Sequence, residues 1–282
     1  MRLDDLRETT NVEDRRGLPG GRIAIGGGIG LIIVIVSLLL GVDPTLLLGD
    51  RGEPAPAPRT QSAAPGAEDP DFVLSKRVVG ATEDVWSDIF SASGGRYQPA
   101  TFTVYDRGAE TGCGYGQSAM GPFYCPADQR VYLDLAFFQE LSGRFGAPGD
   151  FAKAYVIAHE IGHHVQNLTG TSARVQAAMQ RAGGGEGDNG LSVRTELQAD
   201  CYAGVWTRRA DERFHFLESG DIDEGLAAAY AVGDDTLQKE TRGRVVPDSF
   251  THGSSAQRVR WFKRGLAEGD PAACDTFGAG RL

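Results

Sequence analysis

The chain has 282 residues, 41% of them hydrophobic and 23% charged, with a formal net charge of −10. That is enough apolar material for one well-buried core with appendages, and so acidic a chain has no basic patch to offer nucleic acid, which is excluded as a partner.

Residues 1–22 carry Arg15, Arg16 and Arg22 just ahead of a nearly uninterrupted apolar run at 23–42. About 20 such residues suffice for a tilted helix to cross the hydrocarbon of a bilayer. Asp43 and Asp50 dominate just after the run, so the positive-inside rule predicts a single-pass anchor, with 1–22 cytoplasmic and the bulk of the chain extracytoplasmic. The run is longer than the apolar region of a usual cleaved signal peptide, and Ala55-Pro56-Ala57 is followed by Pro58, a poor cleavage site. Residues 43–70 alternate six prolines with alanine, glycine and charges, and read as a semi-rigid linker. Residues 71–282 read as the globular domain.

Val78, Ala81, Val85 and Ile89 fall on one side of a predicted helix over 78–90. Stretches 101–105 and 130–135 are strand-like. Cys113 and Cys125 flank a glycine-rich loop, 114–124, of a size a disulfide closes readily. That leaves Cys201 and Cys274 to pair with each other, as suits an oxidising exterior, and neither spacing matches a zinc knuckle.

The predicted helix that follows, capped by Asp150 and ended near Gly170, contains His159-Glu160-Ile161-Gly162-His163. Residues four apart project from one helix face, so both imidazoles can grip one ion. Glu160 then lies beside the open coordination position, where it can take a proton from water. His164 points about 100° away and is not expected to be a ligand. Catalytic zinc needs a third protein ligand. The next predicted helix, 191–209, presents Glu196 and Asp200 one turn apart: Glu196 would complete the set and Asp200 would hold the free ring N–H of a ligating histidine. A glycine-rich connector, 183–190, separates the two helices. Further helices are expected over 224–240 and 254–265, the latter opened by a Ser254/Gln257 capping box. The class is thus α+β, mostly helical with a small sheet, preceded by one transmembrane helix.

His159-Glu160-x-x-His163 followed by Glu196-x-x-x-Asp200 resembles the gluzincin group of metallopeptidases. The longer strings 159–167, 196–201, Thr251-His252-Gly253-Ser254 and Gln257-Arg258-Val259-Arg260-Trp261-Phe262 resemble the bacterial putative neutral zinc metallopeptidase family, the match running from 11–17 to the C-terminus. Members typically carry one N-terminal membrane anchor. The resemblance implies a zincin-like domain in a bacterial cell membrane, Zn²⁺ as cofactor, a peptide or protein as substrate, and 130–135 as the edge strand that pairs with extended substrate. His252 is either a donor to the oxyanion of a tetrahedral intermediate or a histidine satisfying a loop carbonyl; Arg258 is a rival for the first role. His215 reads as an ordinary residue at the surface or core edge.

The expected reaction is peptide-bond hydrolysis, with zinc on His159, His163 and Glu196, and Glu160 as general base. A zinc amidase of cell-wall peptides and a non-catalytic tethered binding module are the alternatives. A di-iron carboxylate protein would need a second Glu-x-x-His, and Glu196 is followed three residues later by Ala199.

Overall fold

Helix α1 (Pro70–Ala92) begins where the Asp69 side chain accepts from the Asp71 N–H and Pro70 supplies a pre-set first turn. It exceeds the expected 78–90 because its early turns also bury Phe72 and Leu74. The computed structural model describes residues 1–17 and 68–282. The predicted anchor at 23–42, and the linker up to residue 67, lie outside the described residues. Among those described, no helix is long and apolar enough to cross a membrane.

Strands β1 (Val12–Asp14), β2 (Thr101–Val104), β5 (Phe123–Cys125) and β6 (Arg130–Leu133) form one sheet in the order β1-β2-β6-β5. β1, β2 and β6 run parallel, and β5 returns antiparallel along β6. A hairpin of β3 (Gly108–Thr111) and β4 (Gly114–Gln117) stands beside it. Two expectations are corrected here. Arg130–Leu133 is an inner strand, and the edge is β5, inside the stretch expected as a loop. Glycine has low strand propensity, but cross-strand hydrogen bonding and the Cys113–Cys125 bond hold the segment extended.

The second correction concerns the domain boundary at 71. Residues 1–17, expected to belong to a separate cytoplasmic segment, are part of the same folded body. β1 pairs with β2 in the register Val12↔Phe102, Glu13↔Thr103 and Asp14↔Val104. Leu6 is buried, and Glu83 of α1 accepts hydrogen bonds from Arg7, Thr9 and Asn11.

The remaining body is helical: α2 (Ala136–Gly143), α3 (Asp150–Leu168), α4 (Thr171–Ala182), α5 (Leu191–Phe214), α6 (Asp221–Ala231), α7 (Asp234–Arg242) and α8 (Ser255–Glu268). α3 is capped by Glu224 of α6, whose carboxylate accepts from the Phe151 N–H at 3.0 Å, rather than by Asp150, which is already helical. The single helix expected over 224–240 is two. Gly233 takes an extended conformation between them, and a Cβ there would meet the Ser255 nitrogen at 2.4 Å. The Ser254/Gln257 capping box opens α8 as expected. α5 and α8 pack with backbones touching: a Cβ on Gly265 would stand 1.9 Å from the Cys201 carbonyl oxygen. Phe151, Trp206 and Phe262 fill the core around this contact. Cys201, on α5, is bonded to Cys274 with Cα atoms 5.6 Å apart, and Cys113 to Cys125 at 5.8 Å.

Candidate metal centre

α3 and α5 cross so that His159, His163 and Glu196 face one another. The His159 and His163 Nε2 atoms are 3.2 Å apart; Glu196 Oε2 is 3.2 Å from the former and Oε1 is 3.5 Å from the latter. Donors on a tetrahedral zinc, at bonds of about 2.1 Å, stand about 3.4 Å apart. Two imidazoles and one carboxylate each offer a ligand atom within 4.8 Å of the other two, a grouping that suits Zn²⁺. The two rings are nearly perpendicular, with planes at 88°, so each aims one nitrogen inward and one outward.

The outward nitrogens are held differently. His159 Nδ1 meets Asp200 Oδ1 at 2.9 Å. Asp200 is fully buried and also accepts from the Tyr155 hydroxyl and, at 2.9 Å each, from Nε and Nη2 of Arg258. Burial alone would raise the Asp200 carboxyl, but Arg258 and His159 outweigh it and hold its pKa at about 2. Burial likewise opposes protonation of His159, yet the charge of Asp200 and the bond to Glu196 bring its pKa to about 10. A metal must therefore displace a proton there. His163 Nδ1 instead meets a neutral amide, Gln166 Oε1, at 2.9 Å. Gln166 is fixed in turn by donating to the Thr195 carbonyl at 2.7 Å and to Gln198 Oε1 at 3.2 Å.

Glu160 is 8% exposed and lines the same cleft as the three donors. His252 lines the same cleft. Its Nδ1 is 2.9 Å from the Thr251 hydroxyl and 3.4 Å from Asp234 Oδ1. Asp234 Oδ2 also accepts from the backbone N–H of Thr251, His252 and Gly253, at 2.7, 2.7 and 3.0 Å, which fixes the whole turn. Burial works against the charged imidazole of His252, but Asp234 and Glu196 raise its pKa above the usual value. Arg258 has its donors on Asp200, Tyr155 and the Val232 carbonyl, on the Nδ1 side of His159, so it braces the ligand rather than standing free for an oxyanion.

His164 is buried away from the cluster, between the Tyr124 hydroxyl at 3.0 Å and the Gln98 carbonyl at 2.6 Å. His215 ends α5 in a left-handed conformation at the surface. Residues 183–190 are tied to the loop before α8, with the Gly187 N–H on the Phe250 carbonyl at 2.8 Å and Gln257 Nε2 on the Asp188 carbonyl at 2.8 Å. Asp234 and Gln166 were not among the residues that motif spacing singled out. Gln166 has a signal, since it follows His163 by three on the same helix face. Asp234 has none beyond an acidic residue after a glycine.

The cleft has a volume of roughly 700 Å³. Phe123 from the edge strand β5, Phe137 and Phe145 wall one side, and Val175, Met179 and Leu237 are apolar lining elsewhere. A pocket of that size, apolar but for a few convergent polar groups, is an ordinary organic-ligand site.

Two imidazoles and a carboxylate from crossed helices, in a cleft that Glu160 also lines, are a donor set of the kind that holds Zn²⁺. The comparison of sequences agrees. Residues 1–277 match the model of the family described as "Putative neutral zinc metallopeptidase", and the chain belongs to that family. It is similar to "Uncharacterized protein YpfJ" of Escherichia coli (strain K12), 48% identical over 288 residues that cover 99% of each chain. It is also similar to "Uncharacterized protein Rv2575" of Mycobacterium tuberculosis (strain ATCC 25618 / H37Rv), 42% identical over 263 residues, covering 87% of this chain and 86% of the other. No solved structure matches it.

Proposed function

We propose that the protein is a membrane-attached zinc peptidase that hydrolyses peptide bonds of an extended peptide or unfolded protein. The observation that carries this reading is the convergence of His159, His163 and Glu196 in a cleft that Glu160 also lines. Zinc held by those three residues would polarise a scissile carbonyl and acidify the attacking water. Glu160 takes the water proton and passes it to the leaving amine. His252, held by Asp234 and Thr251, donates toward the oxyanion as the carbonyl carbon becomes tetrahedral. The exposed edge of β5 offers backbone groups to an extended chain, and the apolar walls of the cleft receive its side chains. Attachment to the membrane is assigned to the apolar run at 23–42.

The test is purified full-length protein, wild type beside Glu160→Gln, assayed for zinc content and for cleavage of an unfolded protein. The expected result is equal zinc in both with cleavage lost in the variant. A variant that keeps zinc and full cleavage would sink the assignment. Wild-type protein that binds zinc yet cleaves neither proteins nor cell-wall peptides would point instead to a binding module.

A further inference from the structure

We infer that residues 1–17 and residues 68–282 lie on the same, exterior face of the membrane. The sequence expectation was the opposite, a cytoplasmic tail joined through one span to an external domain. A single crossing at 23–42 would put the two flanks on either side of about 30 Å of hydrocarbon. The structure instead bonds them directly. Arg16 Nη1 is 3.0 Å from Asp69 Oδ2, so the chain leaves the described body and returns to it at nearly the same point.

The contact is part of the fold. β1 lies in the main sheet, with the Phe102 N–H on the Asn11 carbonyl and the Arg15 N–H on the Val104 carbonyl, both at 2.8 Å. The Thr9 N–H reaches the Lys76 carbonyl at 3.0 Å, and Thr9 is buried. A Cβ on Gly80 of α1 would stand 2.4 Å from the Arg7 carbonyl oxygen, so α1 carries a glycine where the N-terminal segment crosses it. At the far end, the Met1 amine pairs with Glu218 and Asp221. Losing β1 would expose Phe102 and Val104, both at most 1% exposed, along an open strand edge.

Two of the three arginines that favoured a cytoplasmic start, Arg15 and Arg16, have partners in this body, as does Arg7; Arg22 lies outside the described residues. Arg7 pairs with Glu83 and Asp84, Arg15 with Glu13, and Arg16 with Asp14 and Asp69. These arginines complete a folded surface, which leaves them a weak topological signal. The two disulfides then select the shared face, because such bonds persist on the oxidising side. None of this depends on the metal or on catalysis.

The test uses the full-length chain in its host membrane with single cysteine reporters at two exposed positions. Asp4→Cys sits on a fully exposed side chain and Tyr230→Cys on a residue 57% exposed. All four native cysteines are in disulfides, so they contribute no background. A membrane-impermeant maleimide applied to intact cells should label both reporters equally. Labelling at 230 with none at 4 until the cells are lysed overturns the inference. Protection of both until lysis keeps the shared face and overturns its exterior placement. As a second reading, Glu13→Cys combined with Thr103→Cys, opposite each other in the β1–β2 register, should yield a linked peptide pair by mass spectrometry. Its absence from protein whose reporters label normally counts against the pairing in the membrane.

Discussion

Gly162 meets Ala199 where α3 crosses α5, so closely that a Cβ on Gly162 would stand 3.0 Å from the Ala199 Cα and carbonyl oxygen. Gly162 is the residue before His163, and Ala199 lies one turn beyond Glu196. The glycine inside the histidine motif therefore sets how near the third donor comes. Gly162→Val should push the helices apart, lowering stability by about 1–3 kcal/mol and weakening zinc binding together. Calorimetry and a chelator competition read the two effects. Normal zinc affinity in a destabilised variant would show that the crossing does not set the donor spacing.

Gln166 holds the outward nitrogen of His163 while its own amide is pinned by Thr195 and Gln198. Removing such a partner of a metal ligand typically costs 10- to 100-fold in affinity, so Gln166→Leu should lose zinc to a chelator about 10–100 times more readily. Gln166→Glu keeps an acceptor for the ring N–H and should recover part of the loss. Equal affinity in the leucine variant and wild type would remove Gln166 from the site.

Asp234 reaches the active cleft through the 251–253 turn. Asp234→Ala strips three backbone N–H groups of their acceptor and frees the His252 ring. Turnover should fall about 10²- to 10³-fold, the range for losing one oxyanion donor, with zinc retained. Because both residues act through one imidazole, Asp234→Ala and His252→Ala should not multiply when combined. Multiplicative losses would assign them separate roles.

Acid stability gives a fourth prediction. Asp200 is depressed from an ordinary 3.8 to about 2. A carboxylate lowered on folding contributes stability that is complete above its unfolded pKa and disappears as pH falls through the folded one. The window is therefore about pH 4 down to pH 2, and the linkage amounts to about 2 kcal/mol. Urea midpoints of chelator-treated protein should drop across that interval, and Asp200→Asn should start lower and slope less. An unchanged slope in the variant would place the acid sensitivity elsewhere.

Residues tied together by helical repeat are legible in the sequence. His159, His163, Glu196 and Asp200 announce themselves because four residues bring a side chain back to the same face. The Ser254/Gln257 box is local for the same reason. What escaped was everything decided between distant segments. β1 is three residues, two of them acidic, and becomes a strand only because β2 offers an open edge. The break at Gly233 reflects the approach of Ser255, twenty-two positions later in the chain. Asp234 acquires its role from a turn that the sequence does not connect to it. The 130–135 stretch has strand character, but its place inside the sheet depends on β5, hidden behind glycines that suggest a loop.

The bond between Cys201 and Cys274 spans 73 residues, an arc that includes Asp234, His252 and Arg258. Three of the groups that brace the first histidine or line the cleft, Asp234, His252 and Arg258, thus belong to one covalent ring rooted on the helix of Glu196. A chain cut anywhere along that ring stays in one piece, with its wall still fastened to its ligand helix. In a thiol-rich compartment the same cut would set the two parts adrift.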